Sequence, residues 1–314
     1  MRLNGGTGER ENGIAREWEN GRTGERDALS SRFPRSPVLP FNRSTLLIGL
    51  LLGCAPPNQT GGLVRVTIPP GATFGAVTDS VAARGLIGSR LWFRMLARVR
   101  GADRVVKAGI YDLPAEAGAW FVLDALKAGR VAIARFTAPE GLTLLELSGL
   151  VEIRLGIPAD TLLALATDPM FVEQYGLGTS SLEGYLLPET YNLPLPVTPR
   201  SLVEAMLTEF EQRWDPLWNR RLDSLRMTRH DIVTLASIVE GEARHDDERA
   251  IIAGVYTNRL RLGMLLQADP TVQYAIQVSR GVRKQRLYFK DLTIASPYNT
   301  YIHPGLPPGP VNSP

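Results

Sequence analysis

From Leu63 onward the apolar positions fall into short, readable periods. Val64, Val66 and Ile68 alternate with polar residues, which predicts a strand, and Pro69-Pro70-Gly71 marks a turn after it. Phe74, Val77, Val81 and Ala82 then recur at helical spacing between Thr73 and Arg84, closed by Gly85. Leu91, Met95, Leu96 and Val99 give a second helix, bounded by Gly101. Ala108 to Leu113 reads as a short strand, Ala119 to Ala128 as a helix closed by Gly129, and Val131 to Phe136 as another strand. Together these elements predict a small α+β module over 63–136. It holds no candidate nucleophile and no paired acids, so binding or positioning is its expected role.

Two stretches echo each other. Val66-Thr-Ile-Pro-Pro-Gly-Ala-Thr and Phe136-Thr-Ala-Pro-Glu-Gly-Leu-Thr both read as strand, Pro-Gly turn, Thr cap and helix. Thr73 and Thr143 can each satisfy free N–H groups of the helix that follows. One such pair indicates shared local architecture rather than a repeat array.

The first 43 residues differ in kind. They are rich in Gly, Glu and Arg and poor in large apolar side chains, so they cannot bury enough surface to offset their ordering entropy. They read as a disordered leader, or as an overlong start upstream of a true one at Val38 or Leu39. The apolar run Leu46–Gly53 follows Arg43 and precedes Cys54 and a Pro/Gly/Asn stretch. That run is too short to span a bilayer but suits the apolar centre of a signal peptide. Leu51-Leu52-Gly53-Cys54 resembles a bacterial lipobox, which makes Cys54 the expected lipid anchor and 44–62 an anchor and tether. The expected location is then the cell envelope, on the periplasmic side of the membrane.

Composition narrows the function classes. The chain has 314 residues with a single cysteine, which excludes a disulfide scaffold and a Cys-rich zinc module. A net charge of +3, from 35 basic and 32 acidic residues, gives no reason to expect a nucleic-acid partner. His230, His245 and His303 are widely spaced and no HExxH helix is present, so no metal is expected. Arg280, Arg283, Lys284, Arg286 and Lys290 read as a solvated basic loop, and no phosphate-cradling glycine loop occurs, so no cofactor is expected either.

The chemistry concentrates in three clusters of the second half. Leu182-Glu-Gly-Tyr-Leu-Leu-Pro-Glu-Thr-Tyr191 packs two carboxylates and two tyrosines into a loop-like stretch. Thr228 with Asp231 forms a capping box for a helix whose stripe is Ile232, Leu235, Ala236 and Val239. Glu240 ends that apolar run. A carboxyl held between apolar walls is disfavoured as an anion, retains its proton more readily and suits general-acid work. The third cluster holds Tyr256, Asn258 and Arg259 on a helix, then Gln267, Asp269 and Tyr274, and later Tyr298, Asn299 and a Pro/Gly-rich end. Aromatic faces and amides in such numbers suit sugar rings and their acetamido groups.

Taken together, LEGYLLPETY, LASIVEGEA, NRLRLGMLLQADPTVQY and SPYNTY…GLPPGP resemble the endolytic murein transglycosylase (YceG-like) family. TIPPGATF and AGIYDL resemble that family's LysM-like subdomain. The resemblance implies an α+β fold, with the LysM-like part (63–136) followed by a mainly helical catalytic domain (137–314). It implies cleavage of the β-1,4 bond between N-acetylmuramic acid and N-acetylglucosamine within peptidoglycan strands, leaving 1,6-anhydro ends and terminating nascent strands. Glu240 takes the place of the family's catalytic acid/base. Glu183 and Asp269 are expected to bind substrate or orient Glu240. Tyr185, Glu189, Tyr191, Asn258, Gln267, Tyr298 and Asn299 are expected along the glycan groove. Peptidoglycan synthases are expected neighbours.

Two departures accompany the resemblance. A lipobox-like Cys54 stands where the family has a membrane helix, and family members continue past GLPPGP with a further strand-and-helix segment, so 137–314 reads as C-terminally truncated. Two rival readings remain: a non-catalytic cell-wall-binding lipoprotein, and a hydrolase that adds water. A hydrolase ordinarily needs a second positioned carboxylate. Glu183, Glu189, Glu242 and Asp269 are the available seconds.

Overall fold

The computed structural model describes residues 61–314. The leader over 1–43 and the anchor with Cys54 lie outside the described residues. Among the described residues no helix is long and apolar enough to cross a membrane.

In the first module β1 (Leu63–Ile68) pairs antiparallel with β2 (Gly109–Pro114), placing Val66 opposite Tyr111. Between them run α1 (Phe74–Ala83) and α2 (Arg90–Val99), and α3 (Ala119–Ala128) follows. Alternation along β1 and β2 puts Val66, Ile68, Tyr111 and Leu113 on the face that packs with Val81, Phe93 and Leu126. Each helix is fixed at its start or end by local chemistry. Thr73 Oγ1 accepts from Ala76 N, Ser89 Oγ from Trp92 N, and Gly129 closes α3 in the left-handed conformation.

The next strand, β3 (Ile133–Thr137), forms where the alternation over Val131–Phe136 predicts one, but its partner is distant. It pairs antiparallel with β4 (Thr190–Pro194), with Phe136 opposite Tyr191, and forms a second two-stranded sheet. Ala132 N, donating to Ile110 O, and Val131, packed against the first module's core, tie its start back to the first sheet. Between β3 and β4 lie α4 (Leu144–Leu155), α5 (Ala159–Ala166) and α6 (Pro169–Glu173), and α7 (Pro199–Arg213) and α8 (Pro216–Leu225) follow β4. Leu147, Leu162, Leu182, Tyr185, Leu202 and Met206 join in one core across this region. The two two-stranded sheets, with about half of the described residues in helices, make the fold α+β.

The sequence echo is structural. Gly71 and Gly141 both sit at φ +73°, each after its strand and before a Thr-capped helix. At the second copy Thr143 forms a full capping box with Glu146. Between the two turns Glu140 takes the place of Pro70 and Leu142 that of Ala72.

Three helices complete the chain: α9 (Arg229–Glu242), α10 (Arg249–Arg261) and α11 (Asp269–Arg280). The final residues thread back among them. Val311 N donates to Ser237 Oγ at 3.0 Å, Gly141 N donates to Ser313 O at 2.8 Å, and Ser313 N donates to Leu142 O at 2.9 Å. These bonds hold the last residues against α9 and the β3–α4 turn. The fit depends on Gly184, at φ +79°, where a Cβ would stand 2.3 Å from Pro310 Cβ. Gly184→Ala is therefore expected to lower stability by about 2–3 kcal/mol, combining left-handed strain with overpacking. Chemical denaturation reads it, and a midpoint unchanged from wild type would contradict this packing.

Candidate active site

The capping box places α9. Thr228 N donates to Asp231 Oδ2 at 2.8 Å, and Asp231 N donates to Thr228 Oγ1 at 3.1 Å. Val233, Thr234, Ser237 and Ile238 are buried, and Ile232, Ala236 and the largely buried Leu235 and Val239 line a cleft of about 590 Å³ with Ala253 of α10. The stripe seen in the sequence is therefore largely the wall of a cleft. Glu140, Glu240, Arg249 and Thr257 supply its polar groups.

Glu240 lies in the last turn of α9, where the helix end carries partial negative charge. The compensating charge is Arg249, at the first residue of α10. Its Nε and Nη2 stand 3.2 and 3.1 Å from Glu240 Oε2. Among the described residues no hydrogen bond reaches Oε1. The apolar walls expected around Glu240 are present, but the carboxyl is not isolated between them, because Arg249 pairs with it. Arg249 also bonds Asp246 and comes within 3.8 Å of Glu140 Oε2. Glu140 and Glu240 thus share one guanidinium group, which puts their nearest oxygens within about 7 Å of each other.

The other expected site residues fall in separate places. Glu183 is fully buried, accepting from Leu144 N at 2.9 Å and from Tyr274 OH at 3.2 Å. Burial pushes its carboxyl up to about 8. It fixes the start of α4, and none of its hydrogen bonds is to a residue that lines the cleft. Tyr185 is buried too, with its OH 2.7 Å from His230 Nδ1, and burial pushes its phenol up to about 12. Because Pro308 O can only accept, His230 Nε2 donates to it at 2.9 Å, and the imidazole ties the LEGY turn to the GLPPGP loop. Tyr191 is buried on β4, its OH donating to Leu187 O. Glu189 pairs with Arg213 at 2.8 Å on the surface. Asn299 is buried and its amide donates to Leu292 O and Ile294 O, a loop staple.

Gln267, Asp269 and Asn258 are exposed, and Tyr298 is half-buried with its ring 4.8 Å from that of Tyr274. Asp269 belongs to a second polar cluster beside the cleft. Glu242 Oε1 accepts from Tyr256 OH and from Asp269 N, both at 3.1 Å, while Asp269 Oδ1 accepts from Tyr301 OH at 2.6 Å. Burial raises the Glu242 carboxyl above its ordinary value. Of the expected set, only Glu240 lines the cleft. Glu140 and Arg249 do so without having been expected. Glu140 was readable in principle as the acid that breaks the Pro-Pro-Gly echo. Arg249 sits in the charged run His245–Arg249, which looks like any solvated surface.

The YceG-like family profile matches residues 66–314, which include every element above β1's first residues and the whole cleft. The chain belongs to the YceG-like family. A YceG-like protein from Listeria monocytogenes, known from a crystal structure, superposes with a TM-score of 0.53 at 29% identity, covering 80% of this chain and 86% of that one. Relatives named endolytic murein transglycosylase occur in Bacillus subtilis (strain 168) and Streptococcus pneumoniae (strain D39). They are each 30% identical, over 79% and 80% of this chain. The alignment spans 72% of the Bacillus relative and 50% of the Streptococcus relative, so this YceG-like chain covers about half the length of the latter.

Proposed function

We propose that the protein is an endolytic lytic transglycosylase of peptidoglycan, with Glu240 as its acid/base. One observation carries the reading: a YceG-like chain places a carboxyl at the rim of an apolar cleft, one oxygen clamped by Arg249 and the other unbonded. Protonated Glu240 gives its proton to the glycosidic oxygen between N-acetylmuramic acid and N-acetylglucosamine, and the C1–O bond breaks. The carboxylate then takes the proton of the muramoyl 6-hydroxyl as that oxygen closes on C1, so the enzyme ends protonated and no water is consumed. One carboxyl suffices because the nucleophile belongs to the substrate. The accessible groups Asn258, Gln267, Asp269 and Tyr298 are the supported glycan contacts. For Glu183, Tyr185, Tyr191 and Asn299 the geometry supports a positioning role, each being enclosed by protein.

Digestion of purified sacculi tests the reading. Mass spectrometry should find 1,6-anhydromuramoyl ends, and reducing ends alone would refute it. Glu140 gives the hydrolase reading a structural foothold, since it is a second carboxylate within about 7 Å of Glu240 on the same cleft. Under the transglycosylase reading Glu140→Gln keeps the anhydro product, with the rate within about tenfold of wild type. Under the hydrolase reading it loses about 100-fold or more.

The remaining assignments are proposals of the same kind. The strand–helix–helix–strand order over β1, α1, α2 and β2 supports a LysM-like module ahead of a catalytic domain beginning near residue 137. The lipobox-like sequence supports Cys54 as a lipid anchor and the cell envelope as the location. A strand-terminating activity would place the protein beside peptidoglycan synthases.

A further inference from the structure

Helix α2 buries one face and leaves an unusual second one. Phe93, Leu96 and Ala97 pack into the module, while Leu91 and Val99 are each 81% exposed and Trp92 and Met95 about half exposed. At about 100° per residue, Leu91, Met95, Val99 and Trp92 fall in one stripe about 100° wide. Arg98, Arg94 and Arg90 form the adjacent stripe, and the helix carries no acid. Just past its end the Arg100 guanidinium lies 3.9 Å over the Trp120 ring, itself half exposed, with Phe121 beside it in sequence. The acids in reach are Asp79, 3.4 Å from Arg90 and 4.0 Å from Arg94, and Asp103 next to the Arg94 and Arg98 side chains. Four large apolar side chains turned outward in one row beside an arginine stripe mark a contact surface.

We propose that α2 is an interfacial helix that lays the first module on an anionic lipid surface. Leu91, Trp92, Met95 and Val99 enter the headgroup–acyl boundary, with Trp120 at headgroup level, and the arginines pair with lipid phosphates. Charge and the apolar row together decide among occupants: a second copy would set two arginine stripes against each other, and a peptidoglycan strand, though its stem peptides carry carboxylates, offers no apolar depth for Leu91, Met95 and Val99. Leu63 lies nine residues after Cys54 in the sequence, and fully extended that stretch would reach about 30 Å, so the lipid anchor proposed for Cys54 is compatible with a membrane-bound module. The inference does not depend on the catalytic reading.

The single cysteine makes a local test practical. In the full chain, Cys54→Ser with Met95→Cys allows an environment-sensitive fluorophore to be attached on α2 alone, so the signal reports this helix and not the Leu46–Gly53 run. Phosphatidylglycerol vesicles should shift its emission to the blue, phosphatidylcholine vesicles should not, and added salt should reverse the shift. Arg90→Glu, Arg94→Glu and Arg98→Glu together should weaken vesicle binding at this site on the order of 100-fold or more. Because these side chains are exposed, an unchanged thermal midpoint is expected and confirms that the fold persists. Leu91→Glu with Val99→Glu offers an independent variant. An emission shift with isolated glycan strands but not with vesicles would overturn the proposal, as would a shift that depends on protein concentration alone.

Discussion

Glu240→Gln is expected to abolish the formation of anhydromuramoyl ends, lowering the rate by at least 10²–10⁴-fold while leaving the thermal midpoint unchanged. The amide cannot donate a proton to the leaving oxygen and cannot take one from the muramoyl 6-hydroxyl, so both halves of the reaction fail together. Its carbonyl oxygen still accepts from Arg249 Nε and Nη2, so the ion pair becomes an ordinary hydrogen bond and the end of α9 stays in place. Glu240 is partly exposed and anchors no core residue, which keeps the stability cost small. Glu240→Asp separates reach from chemistry. The acid is retained but withdrawn by one methylene from Arg249 and from the cleft, and partial activity with the same product is expected. Time-resolved digestion of sacculi with product mass spectrometry measures all three proteins. If Glu240→Gln stays within tenfold of wild type, the acid/base lies elsewhere.

The contrast between Glu240 and Glu183 explains how much the sequence could reveal. Both are acids beside apolar residues, and nothing in one dimension separates them. In the structure Glu240 meets a cleft, while Glu183 closes the start of a helix that begins 39 residues earlier. Local elements were legible because their determinants are local. The Thr228 and Asp231 capping box and the alternation along β1 act within a few residues. Partners were not. The periodicity of Val131–Phe136 says strand but cannot say that β4, more than 50 residues on, is its mate instead of the nearby β1. Likewise the pairing of Arg249 with Glu240 requires the turn Asp246–Glu248 to reverse the chain, and a run of acids and bases carries no sign of that reversal. Several polar side chains of the motifs serve the scaffold: Tyr185 on His230, Tyr191 on Leu187, Asn299 on its own loop.

Glu183 also carries the largest expected pH effect on stability. Its carboxyl is pushed up to about 8 in the folded protein, chiefly by burial, from an ordinary value near 4.5. Between those values the folded state binds a proton that the unfolded chain has released, so stability falls as pH rises. The favourable contribution is complete below about pH 4.5 and is lost as pH climbs through about 8. Glu183→Gln mimics the protonated form at every pH. Its oxygen can accept from Leu144 N and its amide can donate to the Tyr274 oxygen. Wild type and Glu183→Gln should therefore be equally stable near pH 4.5, with wild type weaker by a few kcal/mol near pH 8. Glu183→Ala should be weaker than Glu183→Gln at both, by about 1–3 kcal/mol, because Leu144 N–H and Tyr274 OH lose their partner. Urea unfolding of the three proteins at pH 5 and pH 8 makes the comparison. If wild type and Glu183→Gln respond to pH in parallel, the buried carboxyl is ionised in the folded protein and its role at the start of α4 is that of a charged cap.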